Sequence, residues 1–92
     1  MSNRIIITVV GHDTVGIIAR VCNYLAQNNI NIMDISQTVV QDIFNMMMIV
    51  DTAKSEKHFA EIADEMEKLG KEEIGVMIQC QREEIFHQMH RI

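Results

Sequence analysis

Apolar positions recur along the chain at two different periods, and together they predict strands and helices in the order β-α-β-β-α-β. Residues 4–10 are β-branched and almost continuously apolar, which is typical of a strand buried on both faces in the middle of a sheet. A helix follows, because apolar residues then recur at intervals of three and four as far as Asn28–Asn29, where a left-handed cap is tolerated. Its apolar stripe consists of Val15, Ile18, Ala19, Cys22, Leu25 and Ala26.

The second and third predicted strands differ in polarity. Residues 30–41 include the most polar strand positions of the chain, which favours an edge of the sheet. A joint at Gln41–Asp42 leads into residues 44–50, which are apolar at nearly every position. Because consecutive strand residues point to opposite faces, the Met46–Met48 run is expected to fill the core on both faces.

The second helix is predicted from the same helical period. Ser55 is its expected N-cap, and Gly70 is expected to end it. Residues 74–81 then form the fourth strand. The apolar stripe of this helix consists of Phe59, Ile62, Ala63, Met66 and Leu69.

This order, with a tight joint only between the second and third strands, predicts an α+β fold of the ferredoxin-like type. Such a fold is a four-stranded antiparallel sheet with two helices on one face. Right-handed crossovers place the first and third strands in the middle and the second and fourth at the edges. No proline or Ser/Gly-rich linker divides the chain, so residues 1–92 are expected to form a single domain with its core in residues 4–81.

The face of the sheet away from the helices should be polar, but several of its predicted positions are apolar. These positions are Ile6, Met47, Ile49 and Met77. The tail, residues 83–92, has apolar residues in helical register, which predicts a short C-terminal helix that packs on this face or on a partner subunit. The apolar residues of the tail are Ile85, Phe86, Met89 and Ile92.

Charge and composition exclude several classes of function. The net charge of −5 and the pI of about 5.2 exclude nucleic acid as a partner, because phosphate binding requires clustered Lys and Arg. No apolar run reaches the roughly 20 residues of a membrane-spanning helix, and no secretory signal is recognisable. Cys22 and Cys80 lie in separate apolar segments, which predicts two reduced, buried thiols in a cytoplasmic protein.

The turn after the first strand, residues 11–16, has the glycine spacing of a phosphate-binding loop. Ile17 and Ile18 replace the Lys and hydroxyl residue that such a loop needs, so nucleotide phosphate is a poor ligand. The start of the helix instead offers unpaired N–H groups and a positive dipole end to a carboxylate, and Asp13 can accept a hydrogen bond from an ammonium group. The turn is therefore suited to a small zwitterion, with its glycines leaving room for the ligand.

A purely structural explanation of the same turn is also open. Asp13 or Thr14 would cap the helix, the first glycine would permit the turn, and the second would let the helix pack closely on the sheet.

Metal binding and catalysis have weaker support. His87 and His90 lie three residues apart near Glu83 and Glu84, a spacing that can bind zinc, but the polar side of an amphipathic tail explains them more simply. No Ser-His-Asp or Cys-His set is recognisable, and Cys22 belongs to an apolar stripe. We therefore expect no metal, no cofactor and no enzymatic activity.

Two short segments match a known family: residues 11–18, GHDTVGII, and residues 25–32, LAQNNINI. In their β-α-β-β-α-β context they resemble the ACT domain over about residues 4–81. The chain is most similar to small bacterial or archaeal proteins of one ACT domain, and more distantly to tandem-ACT regulators of the glycine-cleavage repressor type. The resemblance implies binding of an amino acid or similar effector between two domains whose sheets join side by side.

The resemblance also implies which residues contact the ligand. One subunit contributes the turn and the start of the first helix, and its neighbour contributes the segment entering the second strand. Asn31 can bridge two ligand atoms, because one amide group both donates and accepts. Asp13 and Val15 depart from many amino-acid-binding members, which have an asparagine-like residue and a proline there. The implied ligand-binding residues are Gly11, His12, Asp13, Thr14, Val15, Gly16, Ile17, Asn31, Ile32 and Asp34.

We therefore predict a homodimeric regulatory module that binds a small molecule, by resemblance an amino acid, at the subunit interface. Its signal would pass to a separate partner, a metabolic enzyme or regulator. The alternative is a protein–protein interaction adaptor with the same fold and no ligand, which docks through the tail helix or the second sheet face.

Overall fold

The chain folds into strands and helices in the order that its sequence predicts. The computed structural model describes residues 3–12 and 16–83, so Asp13–Val15 and the predicted C-terminal helix, from residue 84 onward, lie outside the described residues. The elements are β1 (Arg4–His12), α1 (Ile17–Gln27), β2 (Asn31–Val40), β3 (Ile43–Asp51), α2 (Phe59–Lys68), a π-helical turn called the π-turn (Leu69–Ile74) and β4 (Met77–Arg82).

The four strands form one antiparallel sheet in the order β2-β3-β1-β4. This confirms the ferredoxin-like α+β fold, with β1 and β3 in the middle and β2 and β4 at the edges. Ile7 of β1 pairs with Met48 of β3, and both are fully buried in the core that the helices cover. We call this side of the sheet the helix face and the opposite side the open face.

A single hydrophobic core lies between the helix face and the helices. On α1 the buried residues are Ile17, Val21 and Leu25, whereas the predicted stripe residues Ile18, Ala19 and Ala26 are exposed. That part of the prediction was wrong because the helix has a neighbouring row of residues, spaced by four, that is equally apolar. This row packs against the sheet. The core residues are Ile5, Ile7, Val9, Ile17, Val21, Leu25, Ile30, Phe44, Met46, Met48, Val50, Ile62, Met66, Val76 and Ile78.

The methionine run of β3 is divided between the two faces. Met46 and Met48 are at most 1% exposed on the helix face, but Met47 points to the open face and is 40% exposed. The expectation that all three methionines fill the core is wrong for Met47, because the two helices cover only one side of the sheet.

Two joints contain residues in the left-handed conformation. Gln41 (φ 49°) and Asp42 (φ 68°) form the two-residue hairpin between β2 and β3, where two positive φ angles suit the twist of the strands. Asn29 has φ 57° after the end of α1, as the left-handed cap expected there requires.

The predicted cap of α2 is corrected by the structure. The N-cap residue is His58, and the Glu61 carboxylate accepts a hydrogen bond from its backbone N–H at 3.2 Å. Ser55 lies one turn earlier, where its hydroxyl oxygen accepts a hydrogen bond from the Lys57 N–H at 3.2 Å. A Ser in that position stabilises the loop before the helix and leaves the helix start to another residue.

Gly70 does not end the second helix, as was expected, but lies buried within the π-turn. An added Cβ at Gly70 would be 2.6 Å from the Val76 carbonyl oxygen and 2.7 Å from Cγ1 of Ile78. Glycine is therefore needed there because the π-turn packs directly against β4. Gly75, with φ +85°, ends the π-turn, and β4 begins at Met77 instead of residue 74.

This close packing predicts that Gly70→Ala destabilises the protein, although alanine favours helices over glycine by about 1 kcal/mol. The clash with backbone cannot be relieved by a rotamer change, so we expect a loss of about 1–3 kcal/mol in the free energy of unfolding. Chemical denaturation measures it. Lys71→Ala, at the exposed neighbouring position, is the matched control and should change the free energy by no more than about 0.5 kcal/mol.

Candidate functional site

The start of α1 is the first part of the predicted site. Gly16 is its N-cap residue, with φ +91°. Among the described residues, no side chain forms a hydrogen bond at this cap, and the first turn of the helix has no acidic residue. An added Cβ at Gly16 would meet no atom within 4 Å. Its glycine is therefore explained by the left-handed backbone rather than by close packing of α1, and the space beside it is open.

Gly11 has a different role. It lies in β1, and an added Cβ would be 2.6 Å from Cγ1 of Val76 and 2.9 Å from its Cβ. The room left by the missing side chain is therefore occupied by the protein's own Val76. The expectation that both glycines leave space for a ligand is corrected here, because this space is free at Gly16 only.

The remaining turn residues lie at the same end of the molecule. His12 is exposed at the end of β1, opposite Ile43, and Ile17 is buried as the first residue of α1. Asp13, Thr14 and Val15 lie between these two anchors, outside the described residues.

The β2 residues of the predicted site lie at the opposite end of the sheet. Asn31 pairs with Asp51, whereas Gly11 pairs with Phe44 on the same strand β3. These two β3 positions are seven residues apart, which corresponds to roughly 24 Å at the rise of an antiparallel strand. We call the turn between β1 and α1, residues 11–16, the glycine turn. Within one subunit, Asn31 and the glycine turn cannot contact the same small molecule.

A bulge at the start of β2 decides where these side chains point. The register with β3 shifts between Ile32 and Asp34, so that Ile32 shares the helix face and Asp34 the open face. The Asp34 carboxylate accepts a hydrogen bond from the Ile35 N–H at 2.9 Å. Asn31, the first residue of the strand, lies on the open-face side and donates to Sδ of Met33 at 3.5 Å.

The outer edge of β2 carries an apolar surface that its sequence does not make obvious. Every residue of β2 is exposed. Its polar residues Asp34, Ser36 and Thr38 lie on the open face, whereas Ile32, Ile35 and Val39 lie on the helix face and are 37%, 42% and 55% exposed. Reading the strand as simply polar missed this surface, since the bulge interrupts strict alternation.

A polar cluster joins the two helices on the outside of the molecule. The Tyr24 hydroxyl donates to the Glu65 carboxylate at 2.7 Å, and the Lys57 ammonium group donates to the same oxygen at 2.5 Å. Burial, followed by the hydrogen bond to Glu65, raises the pKa of Tyr24 above its usual value of 10.0. The hydrogen bonds from Lys57 and Tyr24 lower the pKa of Glu65. The cluster fixes α1 against α2, and the sequence gives no local signal for it.

The described residues offer little reactive chemistry. Cys22 and Cys80 are free and half-buried, less enclosed than expected, and burial followed by the nearby Glu67 carboxylate raises the pKa of Cys80 to about 12. That thiol is therefore protonated at neutral pH. Within residues 3–12 and 16–83, no three His, Cys, Asp or Glu side chains are grouped to hold a metal ion, and no helix is long and apolar enough to cross a membrane.

A surface cavity of about 660 Å³ lies elsewhere, between α1 and the π-turn. Arg20 and Glu73 line it and are 3.7 Å apart as an exposed ion pair. None of the predicted ligand-binding residues lines this cavity. This cavity is therefore separate from the predicted ligand-binding residues.

The profile of the ACT domain family matches residues 3–81 of the chain. The chain belongs to the ACT domain family. ACT domains are in general regulatory modules that respond to small molecules. The predicted resemblance is therefore confirmed over nearly the whole chain.

Similar proteins occur in bacteria and archaea. A UPF0237 protein of Bifidobacterium longum is 62% identical over 90 residues, which covers 98% of this chain and 99% of that protein. A UPF0237 protein of Methanocaldococcus jannaschii is 46% identical, with the same coverage.

Solved structures of other proteins superpose on this chain. An ACT domain protein from Streptococcus pneumoniae has a TM-score of 0.81 and 38% sequence identity, covering 94% of this chain and 96% of its own. A protein named as a glycine cleavage system transcriptional repressor has a TM-score of 0.73 at 22% identity, covering 85% of this chain and 44% of its own. The second likeness shows the shared fold, as the sequence predicted.

The polar cluster predicts an unusual titration of Tyr24, the one tyrosine of the chain. Because its pKa is raised on folding, the phenolate absorbance should appear in the native protein only above pH 10, and near pH 10 in denaturant. The contribution of protonated Tyr24 to the free energy of unfolding is complete below pH 10 and is lost as the pH rises further.

The matched variants are Glu65→Gln and Glu72→Gln. Glu65→Gln should bring the titration of Tyr24 closer to its usual range without restoring it fully, because burial is the larger cause. Glu72→Gln, on the exposed π-turn, should leave the curve unchanged. A native titration that superposes on the denatured one would contradict the cluster.

Proposed function

We propose that this ACT domain is a homodimeric sensor that binds an amino acid between its subunits. The glycine turn of one subunit and the start of β2 of the other form the site. The observation that carries the proposal is the separation of these two segments within one subunit by roughly 24 Å, the length of the sheet. A site that uses both segments is incomplete without a second copy.

The direction of β2 supports the required arrangement. β1 and β2 both run antiparallel to β3 and are therefore parallel to each other, so that β2 ends beside the end of β1, before the glycine turn. If two copies pair their β2 strands antiparallel about a twofold axis, one strand is reversed. The start of β2 of the second copy then lies at the end of the joined sheet that carries the glycine turn of the first.

The edge of β2 has the properties that such pairing requires. It is ten residues long and contains no Lys, Arg or Pro, the residues that commonly protect an edge strand from pairing. Its helix-face residues Ile32, Ile35 and Val39 would pack against their counterparts on the joined sheet, and this burial would stabilise the dimer.

The chemistry of the turn supports an amino acid as ligand. The start of α1 has open space at Gly16 and N–H groups that attract a carboxylate. Asp13 supplies a carboxylate for an ammonium group, and Ile32 of the second subunit, on the helix face, supplies an apolar wall. Asn31 begins the same strand and contributes its amide.

The first test measures ligand binding as a rise in the melting temperature, with each of the common amino acids tested separately at millimolar concentration. At 100 times its dissociation constant, a ligand should stabilise the folded protein by about 2.7 kcal/mol. Asp13→Ala should remain folded and lose this response. If no amino acid raises the melting temperature of the wild type, the sensor proposal is wrong and the ligand-free adaptor is favoured.

A mixing experiment tests whether the site is shared between subunits. Asp13→Ala and Asn31→Ala/Ile32→Ala proteins should each bind the amino acid found in the panel weakly. In a heterodimer, the intact turn of one variant faces the intact β2 of the other, so that mixing should restore one of the two sites. Calorimetry measures the stoichiometry. A site built within one subunit would give no recovery on mixing.

A pair of lysine substitutions tests pairing through β2. Ile35→Lys places a charge on the helix face of the edge, in the proposed contact, and should convert the dimer to a monomer in sedimentation experiments. Ser36→Lys places the same charge on the open face of the same strand and should leave the dimer largely intact. Equal effects of both variants would contradict the proposed packing.

A further inference from the structure

The open face carries an apolar stripe along the two central strands. Ile6 pairs with Ile49, and the next open-face pair is Thr8 with Met47. The residues of the flanking strands that pair with these positions are polar: Asp34 and Ser36 on β2, and Gln79 and Gln81 on β4. We call Ile6, Thr8, Val10, Met47 and Ile49 the open-face stripe.

The width of the open-face stripe fits one helix. Two neighbouring strands with their side chains span about 10 Å, which is close to the diameter of a single α-helix with its side chains. A second sheet packed face to face would instead cover the polar residues of β2 and β4 as well. The pattern therefore fits one amphipathic helix whose polar side is left in solvent.

Exposure along the stripe is graded from one end to the other. Ile6 is 3% exposed although it lies on the face opposite the helices and outside the helix-face core. Met47 is 40% exposed, and Met77, at the far end of the open face, is 61% exposed. Burial is thus concentrated where β1 begins and β4 ends.

The chain leaves the sheet at this same end. β4 finishes at Arg82, and the Glu83 carboxylate lies 3.5 Å from Nη1 of Arg4 on the strand next to it. Arg4 is on the open face, two residues before Ile6. Glu83, the last described residue, therefore lies beside the start of β1, next to the buried end of the open-face stripe.

We propose that residues 84–92 form an amphipathic helix that docks on the open-face stripe of its own subunit. Nine residues make a helix of about 14 Å. Successive open-face residues of one strand are about 7 Å apart, so this helix spans two such intervals. If it starts beside Arg4, the helix passes Ile6, reaches Met47 and leaves Met77 uncovered, in agreement with the graded exposure. The apolar residues that face the stripe are Ile85, Phe86, Met89 and Ile92.

Methyl NMR on the full-length chain tests the proposal, with isotope labels on the Ile δ1 and Met ε methyl groups. The wild type should show nuclear Overhauser contacts from the Phe86 ring to Ile6 and Ile49. Phe86→Ala should shift the Ile6 and Ile49 signals by more than their line widths and lower the melting temperature by several degrees. Ile7 and Met48, on the helix face of the same strands, should not shift.

His87→Ala is the matched control, because it removes a ring of similar size from the polar side of the tail. It should leave the Ile6 and Ile49 signals in place. If Phe86→Ala does not fold, Met89→Ala replaces it, with Met47 as the main reporter. Unshifted stripe signals in these tail variants would overturn the proposal. Contacts seen only between subunits, in a sample that mixes labelled and unlabelled protein, would also overturn it, because they would assign the tail to the partner subunit.

Discussion

The antiparallel pairing of β1 with β3 is the constraint on which the rest of the structure depends. It sets Ile7 opposite Met48 on the helix face and Ile6 opposite Ile49 on the open face. A slip of one residue would exchange the two faces and move the buried side chains away from the helices. The core, the polar edges and the apolar open-face stripe all follow from this one register.

Val76 connects the end of β1 to the π-turn. Its side chain occupies the space beside Gly11, its N–H donates to the Gly70 carbonyl at 2.8 Å, and its own carbonyl oxygen lies against Gly70. The strand that leads into the glycine turn is therefore held against β4 and the π-turn by close backbone packing. This support fixes the point from which the chain leaves β1 towards the candidate site.

The fold was readable from the sequence because each element has a strong local signal. The β-branched run of β1, the two-residue joint at Gln41–Asp42 and the two helical periods leave few arrangements of a β-α-β-β-α-β chain. The errors fell where two local patterns compete. An apolar row one position away on α1 was equally regular, and the roles of Ser55 and Gly70 were misassigned because their tertiary contacts are invisible in the sequence.

The sequence by itself determined the fold class, the ACT resemblance and the glycine turn, because these depend on residue type and spacing along the chain. The tertiary structure alone decided that Gly11 accommodates Val76, that the bulge near Met33 leaves Ile32 and Ile35 uncovered on one face of β2, and that Asn31 lies far from the turn. These facts depend on which strands become neighbours and on the end at which each begins. Spacing along a chain does not encode distance across a sheet.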